Sequence, residues 1–375
     1  MQIYWFTNRS FNDLCSTTQL SLANGIISHG HDLTIIGPGP EKNDVKWNHV
    51  VVERSSIRGL QAKTLGKNMA KYVKNIPTNE GQKVVVLVHW SLVKYLCTKL
   101  NNREIIWQIM DRSPPADSGI LAKLQKKVWE KAWDLTGVGH CKGGFVVSQN
   151  HKKLVEKHCG REMNNISILP AGVDLTLFNS STRTDTQSIS NISFVYHGRI
   201  DKNRGIIEMV NILQKLSALG HKSKLTLIGK GNAVGMMKKL ALKTQGNYEI
   251  EIFDTMPQEK LAQKISQSNF GLLPMPYQRV WAVASPLKRS EYLASGLLVF
   301  GIDHTGHQLE GAENDFFGLF SQQELATKGT DWVINAATSA SLGQAKVRAR
   351  MYAEEHCSWD CSITILMAHL ERAVE

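Results

Sequence analysis

Three short segments in the second half of the chain combine glycines, cations and two carboxylates at spacings suited to holding a diphosphate. An apolar run over 192–196 leads into His197-Gly198-Arg199-Ile200-Asp201-Lys202-Asn203-Arg204-Gly205 and then into a helical pattern. Glycine lets the backbone approach an anion, a helix start aims N–H groups at it, and arginine offers a planar fork of donors. A basic surface turn is the plainer reading of the same residues. A second run, 225–228, ends in Gly229-Lys230-Gly231-Asn232, a turn type that α/β proteins also use structurally. The third segment, Ser285-Pro286-Leu287-Lys288, opens a helical stretch reaching Gly296. Pro286 there pre-sets the first turn, which leaves amides near Leu287 and Lys288 for phosphate oxygens. Glu291, about one turn on, can accept hydrogen bonds from ribose hydroxyls.

The first half offers two further candidates for chemistry. The apolar run 105–109 ends in Met110-Asp111-Arg112-Ser113-Pro114-Pro115, where Asp111 is either a general base for an acceptor hydroxyl or a turn-forming aspartate. His89 follows the all-apolar run 84–88 and stands as a second catalytic candidate or as a structural histidine. Arg9, in the first strand-to-helix loop, can approach a phosphate or acidic acceptor. Metal chemistry is not indicated: there is no D-x-D motif, the histidines lack paired ligand spacing on a helix, and His304 and His307 read as loop residues near the phosphate segments. The six cysteines are scattered, and the spacing of Cys357 and Cys361 matches neither a zinc knuckle nor a redox pair, so reduced thiols are expected.

The elements that must carry these residues alternate strand and helix. In the first half, strands are predicted at 2–6, 33–36, 50–53, 84–88, 105–109 and 144–147, with helices at 16–29, 66–74, 92–99 and 120–135. The segment 179–191 is rich in Ser, Thr and Asn and reads as a linker. Beyond it, strands at 192–196, 225–228, 250–253, 270–273 and 298–302 alternate with helices at 206–219, 233–245, 258–266 and 288–294. This is the pattern of parallel sheets wrapped by helices, in which ligands sit where loops leave the carboxyl ends of the strands. The expected organisation is an N-terminal Rossmann-like domain over 1–178, the linker 179–191, and a second Rossmann-like domain over 192–355, the two sheets facing a cleft.

Composition narrows the partners. The chain has 375 residues, 42% hydrophobic and 21% charged, enough for two ordinary cores. The formal charge is +11, and residues 1–178 hold 23 Lys/Arg against 14 Asp/Glu, so the first half carries most of the positive field. Such a field suits an anionic membrane surface, a lipid phosphate or another polyanion, or else reflects solvated helix faces. No nucleic-acid-binding signature accompanies it. No apolar run approaches the roughly 18–20 residues of a membrane span. The start lacks a basic segment followed by an apolar one, so cytoplasmic residence is the expectation.

In order and spacing, Phe194-Val195-Tyr196-His197-Gly198-Arg199, Leu227-Ile228-Gly229-Lys230-Gly231 and Ser285-Pro286-Leu287-Lys288 through Gly296 resemble GT-B glycosyltransferases of the family 4 (group 1) type. They look like the subset with S-P-L-K before an E-Y-L-A-S-G helix. In the first half, Leu20 through Asp32 resembles the family's first helix and its G-H-[DE]-V turn, and Ile168 through Asp174 with Phe178 resembles its L-P-N-G-V-D…F crossover. Arg350 through Trp359 resembles the segment before a C-terminal helix, here 356–375, that crosses back to the N-terminal domain.

The resemblance implies an α/β fold of two Rossmann-like domains and sugar transfer from a UDP- or GDP-sugar to a glycan or lipid-linked acceptor, as in polysaccharide biosynthesis. It implies no cofactor, no divalent metal and retained configuration. Arg199, Arg204, Leu287 and Lys288 would bind the donor diphosphate, Glu291 the ribose, and Gly198, Gly229, Lys230 and Ser285 would complete the donor loops. One departure stands out: Val283 occupies the place of the family's first glutamate, which contacts the transferred sugar. A nucleotide-sugar epimerase, or an inactive protein that binds a nucleotide or partner, are the alternatives.

Overall fold

The computed structural model describes residues 1–13, 16–57, 59–78, 81–117, 119–179, 191–243 and 246–375. Most of the predicted linker, 180–190, lies outside them, as does Cys15. The chain divides into two compact units, one formed by Met1–Pro170 with Trp359–Glu375 and the other by Ala171–Ser358.

The first unit alternates β1 (Gln2–Phe6), α1 (Ser16–Ser28), β2 (Asp32–Gly37), β3 (Asn48–Val51), α2 (Gln61–Met69), β4 (Val84–His89), α3 (Val93–Asn101), β5 (Trp107–Met110), α4 (Ile120–Trp133), β6 (Cys141–Val146), α5 (Gln149–Cys159) and β7 (Ile166–Ile168). The described strands form one parallel sheet in the order β3-β2-β1-β4-β5-β6-β7. β4 is apolar from Val84 to Val88 because it lies at the sheet's centre with a helix layer on either face; Val85 through Val88 are fully buried.

The second unit runs β8 (Asn191–Arg199), α6 (Ile206–Ala218), β9 (Lys222–Lys230), α7 (Val234–Lys243), β10 (Tyr248–Phe253), α8 (Gln258–Ser266), β11 (Phe270–Leu273), α9 (Arg279–Ala282), α10 (Leu287–Ala294), β12 (Leu298–Ile302), β13 (Phe317–Phe320), α11 (Lys328–Thr338) and α12 (Leu342–His356). Its sheet is also parallel, in the order β10-β9-β8-β11-β12-β13. The strand order reverses between β8 and β11, and such a switch point opens a crevice at the carboxyl ends of the two strands.

Two boundaries differ from those expected. Residues 171–178 pack with the second unit rather than the first: Val173 and Phe178 are buried in its core. Val173 N donates to Cys357 O at 2.8 Å, and Arg350 binds the carbonyls of Leu175 and Phe178. The helix expected over 356–375 is α13 (Trp359–Val374), which belongs to the first unit. Gly25 on α1 leaves room for it: a Cβ there would stand 2.1 Å from Ile363 Cδ1. His369 on α13 lies 2.7 Å from Ser167 Oγ on β7 and 3.0 Å from Gln108 Oε1 on β5. Among the described residues no helix is long and apolar enough to cross a membrane.

Candidate functional site

The phosphate-type segments of the second unit meet at the switch point. β8 and β9 pair to their ends, Gly198 opposite Gly229 and Arg199 opposite Lys230. Both glycines have positive φ, 112° and 143°, and a Cβ on Gly229 would fall 1.9 Å from Gly198 O, so no other residue fits there. Gly205 starts α6 at φ 74°, and a Cβ on it would strike Pro274 O at 1.8 Å. The loops after β8 and β11 are therefore pressed together.

α10 enters this edge with Pro286 at its N-cap in extended conformation and no side chain capping it. The first-turn amides of Leu287 and Lys288 have no intrahelical acceptor, which leaves donors at the positive end of the helix. Lys288 is buried, with Nζ 4.4 Å from the centre of the Tyr196 ring and 3.6 Å from where a Gly198 Cβ would be. Among the described residues it has no carboxylate within ion-pair distance. Glu291, one turn on, brings Oε2 within 2.8 Å of His197 Nε2, and both groups are largely buried. Neither atom has a hydrogen-bond partner of good geometry. Tyr292 OH accepts from His197 N at 3.2 Å and fixes the backbone there.

The two arginines share one carboxylate, Asp201. Arg199 is about half exposed and forks onto Asp201, with Nε 3.0 Å and Nη2 3.2 Å from its two oxygens. Arg204 lies 3.9 Å from the same carboxylate, donates to Met275 Sδ and stands 5.2 Å from the Trp281 ring. Asp201 also accepts from Asn232 N, so it ties the loops after β8 and β9 together. Lys230 points elsewhere, to Asp254 at 3.4 Å, and Ser285 Oγ accepts from Ala171 N. The structure thus gathers Gly198, Gly229, Leu287, Lys288 and Glu291, sets Arg199 and Arg204 beside them on Asp201, and places Lys230 near Asp254 and Ser285 against Ala171 N.

His304 and His307 lie in the loop after β12, their rings 3.7 Å apart. Burial lowers the pKa of both, His307 the further. Arg289 Nη1 donates to the carbonyls of Gly306, His307 and Gln308 and braces this loop against α10. Val283, at the end of α9, is buried.

Both catalytic candidates of the first unit are buried and hydrogen-bonded within it. Asp111 is fully buried at the end of β5; Oδ2 accepts from Trp129 Nε1 (2.6 Å) and Trp133 Nε1 (3.1 Å) and lies 3.1 Å from His151 Nε2, while Oδ1 accepts from Ser113 N. Burial raises its pKa, but His151 and the two indoles outweigh that and hold it below the ordinary carboxylate range. With its oxygens engaged, Asp111 anchors α4 and α5 to the sheet. His89 Nδ1 accepts from Ser91 N at 3.2 Å and lies 3.0 Å from Ser91 Oγ, which places its proton on Nε2. Burial lowers its pKa to about 3; the charge of Asp111 opposes this and that of Arg9 adds to it.

Sequence reasoning missed His197, Tyr196 and Asp201 as parts of the site. All three flank Gly198-Arg199 in the chain, but their partners, Glu291, Lys288 and Asn232, are 94, 92 and 31 residues away by numbering.

No protein-family model matches this sequence, and no curated protein does. The structure is similar to a glycosyltransferase from Rickettsia africae (TM-score 0.73, 15% identity, 100% of this chain and 98% of that one). It is similar to a sucrose-phosphate synthase from Thermosynechococcus elongatus (TM-score 0.72, 13% identity, 99% and 98%). A third similarity is to a pneumococcal O-GlcNAc transferase in complex with UDP and GlcNAc (TM-score 0.68, 10% identity, 100% and 99%). At such identities the likeness establishes the fold, and the two parallel Rossmann-like units of this chain have the GT-B architecture.

Proposed function

We propose that this chain is a glycosyltransferase that moves a sugar from a UDP- or GDP-sugar onto a glycan or lipid-linked acceptor, without a divalent metal and with retention of configuration. One observation carries the reading: a buried lysine without a carboxylate partner, Lys288, stands at the uncapped start of α10 beside Gly198, with Glu291 a turn further on. A leaving nucleoside diphosphate gains negative charge as the sugar–phosphate bond breaks, and a fixed cation and aligned amides stabilise that charge without reorganising. Lys288 and Arg199 take the role a metal plays elsewhere, and Glu291 is placed to accept from the ribose. The bound UDP of the pneumococcal relative supports a nucleotide of this kind.

Retention is part of this reading. With Asp111 and His89 both engaged, the acceptor proton is best taken by the departing phosphate oxygen, which lies on the face the sugar leaves. The test is donor turnover: incubation with nucleotide sugars releases nucleoside diphosphate, and the anomeric configuration of the product is read by NMR. Tight nucleotide binding with no release under any acceptor would leave an inactive binding protein instead.

The acceptor side is proposed to work at an anionic membrane surface. α4 turns Ala122, Trp129, Ala132 and Trp133 inward but exposes Ile120, Leu121 and Leu124, Ile120 at 82%. Ile57 and Leu60 are exposed nearby, where a Cβ on Gly59 would stand 3.6 Å from Leu121 Cδ2. Exposed Lys63, Lys123, Lys127 and Lys131 accompany this patch, the combination that favours an anionic lipid interface.

A further inference from the structure

The first unit has a polar hollow at the amino end of its sheet, opposite the edge where His89 and Asp111 stand. Parallel strands covered on both faces should be apolar throughout, as β4 is. The amino ends of β1, β2 and β3 break this rule. Gln2 pairs with Asp32, Tyr4 with Thr34, and Thr34 with Asn48, so these side chains share one face of the sheet. The other face carries Ile3, Trp5, Leu33 and Ile35, all buried. Further along the polar face the residues turn apolar again, and Phe6 and Ile36 lie in one core cluster with Leu65 and Met69 of α2. The helix layer thus packs on the carboxyl half of this face, and among the described residues no helix joins β2 to β3 to cover the rest.

The uncovered half is a cavity of about 300 Å³ whose lining includes Gln2, Tyr4, Asp32, Thr34, Lys46 and Asn48. That volume stands at the lower end of the range for small-ligand pockets. Asp32 and Lys46 offset each other, so the cavity has no net charge with which to select an anion or a cation. The other polar groups are the amides of Gln2 and Asn48 and the hydroxyls of Tyr4 and Thr34, each able both to donate and to accept. Gln2 Oε1 is buried with no hydrogen-bond partner among the described residues, whereas buried acceptors are normally paired. Tyr4, half-buried, adds an aromatic ring with a polar tip. A sugar ring has the matching parts: hydroxyls that donate and accept in turn, and an apolar C–H face to lie on the aromatic ring.

We infer that this cavity is a secondary carbohydrate site, taking one neutral sugar ring of a glycan away from its reacting end. A strand of five residues such as β1 spans about 17 Å, so a ring seated here is separated from the carboxyl edge of the sheet by roughly that length. The occupant is a distal unit of the chain being extended. The word extended rests on the glycosyl-transfer reading; carbohydrate recognition by the cavity does not.

The experiment is isothermal titration of the full-length protein with the linear tetrasaccharides of glucose, galactose, mannose and N-acetylglucosamine, and separately with UDP. It is run on the wild type and on the Tyr4→Ala, Asn48→Ala and Lys288→Met variants. At least one tetrasaccharide should bind the wild type. Tyr4→Ala should weaken it about tenfold by removing the ring, and Asn48→Ala about three- to tenfold by removing hydrogen bonds. UDP affinity should stay at the wild-type value in both, and Lys288→Met should do the reverse. Tyr4 packs against the core, so circular dichroism must show that variant folded. Asn48 is exposed on the edge strand β3, and its variant decides alone if Tyr4→Ala unfolds. No tetrasaccharide binding by the wild type at millimolar concentration overturns the inference, as does unchanged affinity in Asn48→Ala and folded Tyr4→Ala. Failure of the wild type to bind UDP overturns the transfer reading and leaves the carbohydrate site standing.

Discussion

Lys288 and Arg199 carry the same charge to the same loop edge in unlike surroundings. Lys288 is buried against the Tyr196 ring without an ion-pair partner, whereas Arg199 is half exposed and already forked onto Asp201. A cation in a dry site loses more when its ligand contact is removed than one shared with a carboxylate and screened by water. Lys288→Met should therefore lower affinity for UDP or GDP by about 10- to 100-fold, equivalent to roughly 1.5–3 kcal/mol. Arg199→Ala should cost about fivefold or less, because a surface pair contributes roughly 0–1 kcal/mol. Isothermal titration with both nucleotides checks the ranking, and a larger loss in Arg199→Ala would move the diphosphate away from α10.

Asp111 shows the opposite behaviour at the same scale. Asp111→Asn puts an amide where two indoles and His151 require an acceptor, and breaking a buried pair of this kind costs about 3–5 kcal/mol. Its folded pKa lies below the unfolded value of about 3.9, so its stabilisation is complete above that value and lost as pH falls through the lowered one. The variant should show the full loss in urea unfolding at pH 7, yet hydrolyse a nucleotide sugar at the wild-type rate below its new melting temperature. A large rate loss in the folded variant would restore Asp111 to the chemistry.

Among the elements, α4 is the one whose pattern does not fit burial in its own unit. A helix covering a sheet should hide its long apolar side chains, yet Ile120, Leu121 and Leu124 face outward while Trp129 and Trp133 serve the core. Each apolar side chain buried in a membrane interface is worth up to about 1.5–3 kcal/mol, and each nearby lysine about 1 kcal/mol on an anionic surface. Leu124→Glu should thus reduce cosedimentation with phosphatidylglycerol vesicles at least about tenfold. Its melting temperature should hardly change, since the side chain makes no core contact. Equal cosedimentation of the two proteins would remove the membrane from the proposal.

The same elements show what the sequence could reveal. Long apolar runs such as 84–88 and the glycines at strand ends were legible, because a buried parallel strand and a positive φ each demand particular residues. β7 and β13 were not: they are three and four residues long, and Ile-Ser-Ile or Phe-Gly-Leu-Phe carries no periodicity that separates strand from loop. The glycines at the ends of β8 and β9 and Lys288 were visible as local motifs. Asp111 could not be resolved locally, because the donors that occupy it come from residues 18, 22 and 40 positions further on.

At the scale of the whole molecule, the chain's end is built into its beginning. α13 carries Ile363 against Gly25 and His369 between Gln108 and Ser167, so the last helix completes the first unit's core across 202 and 261 residues of sequence. Burial, and next the charge of Arg372, lowers His369 from 6.5 to about 4. The folded value is below the unfolded one, so the unfolded chain binds more protons between the two. Stability from the neutral imidazole is therefore complete above pH 6.5, declines as pH falls, and is gone near pH 4. The shift corresponds to about 3 kcal/mol. His369→Gln, which cannot titrate, should be less stable than the wild type at pH 7, with a flatter pH dependence between pH 4 and 6.5. Urea unfolding followed by tryptophan fluorescence measures it. Parallel slopes in the two proteins would mean that the acid sensitivity of this unit arises elsewhere, with His89 the next group to test.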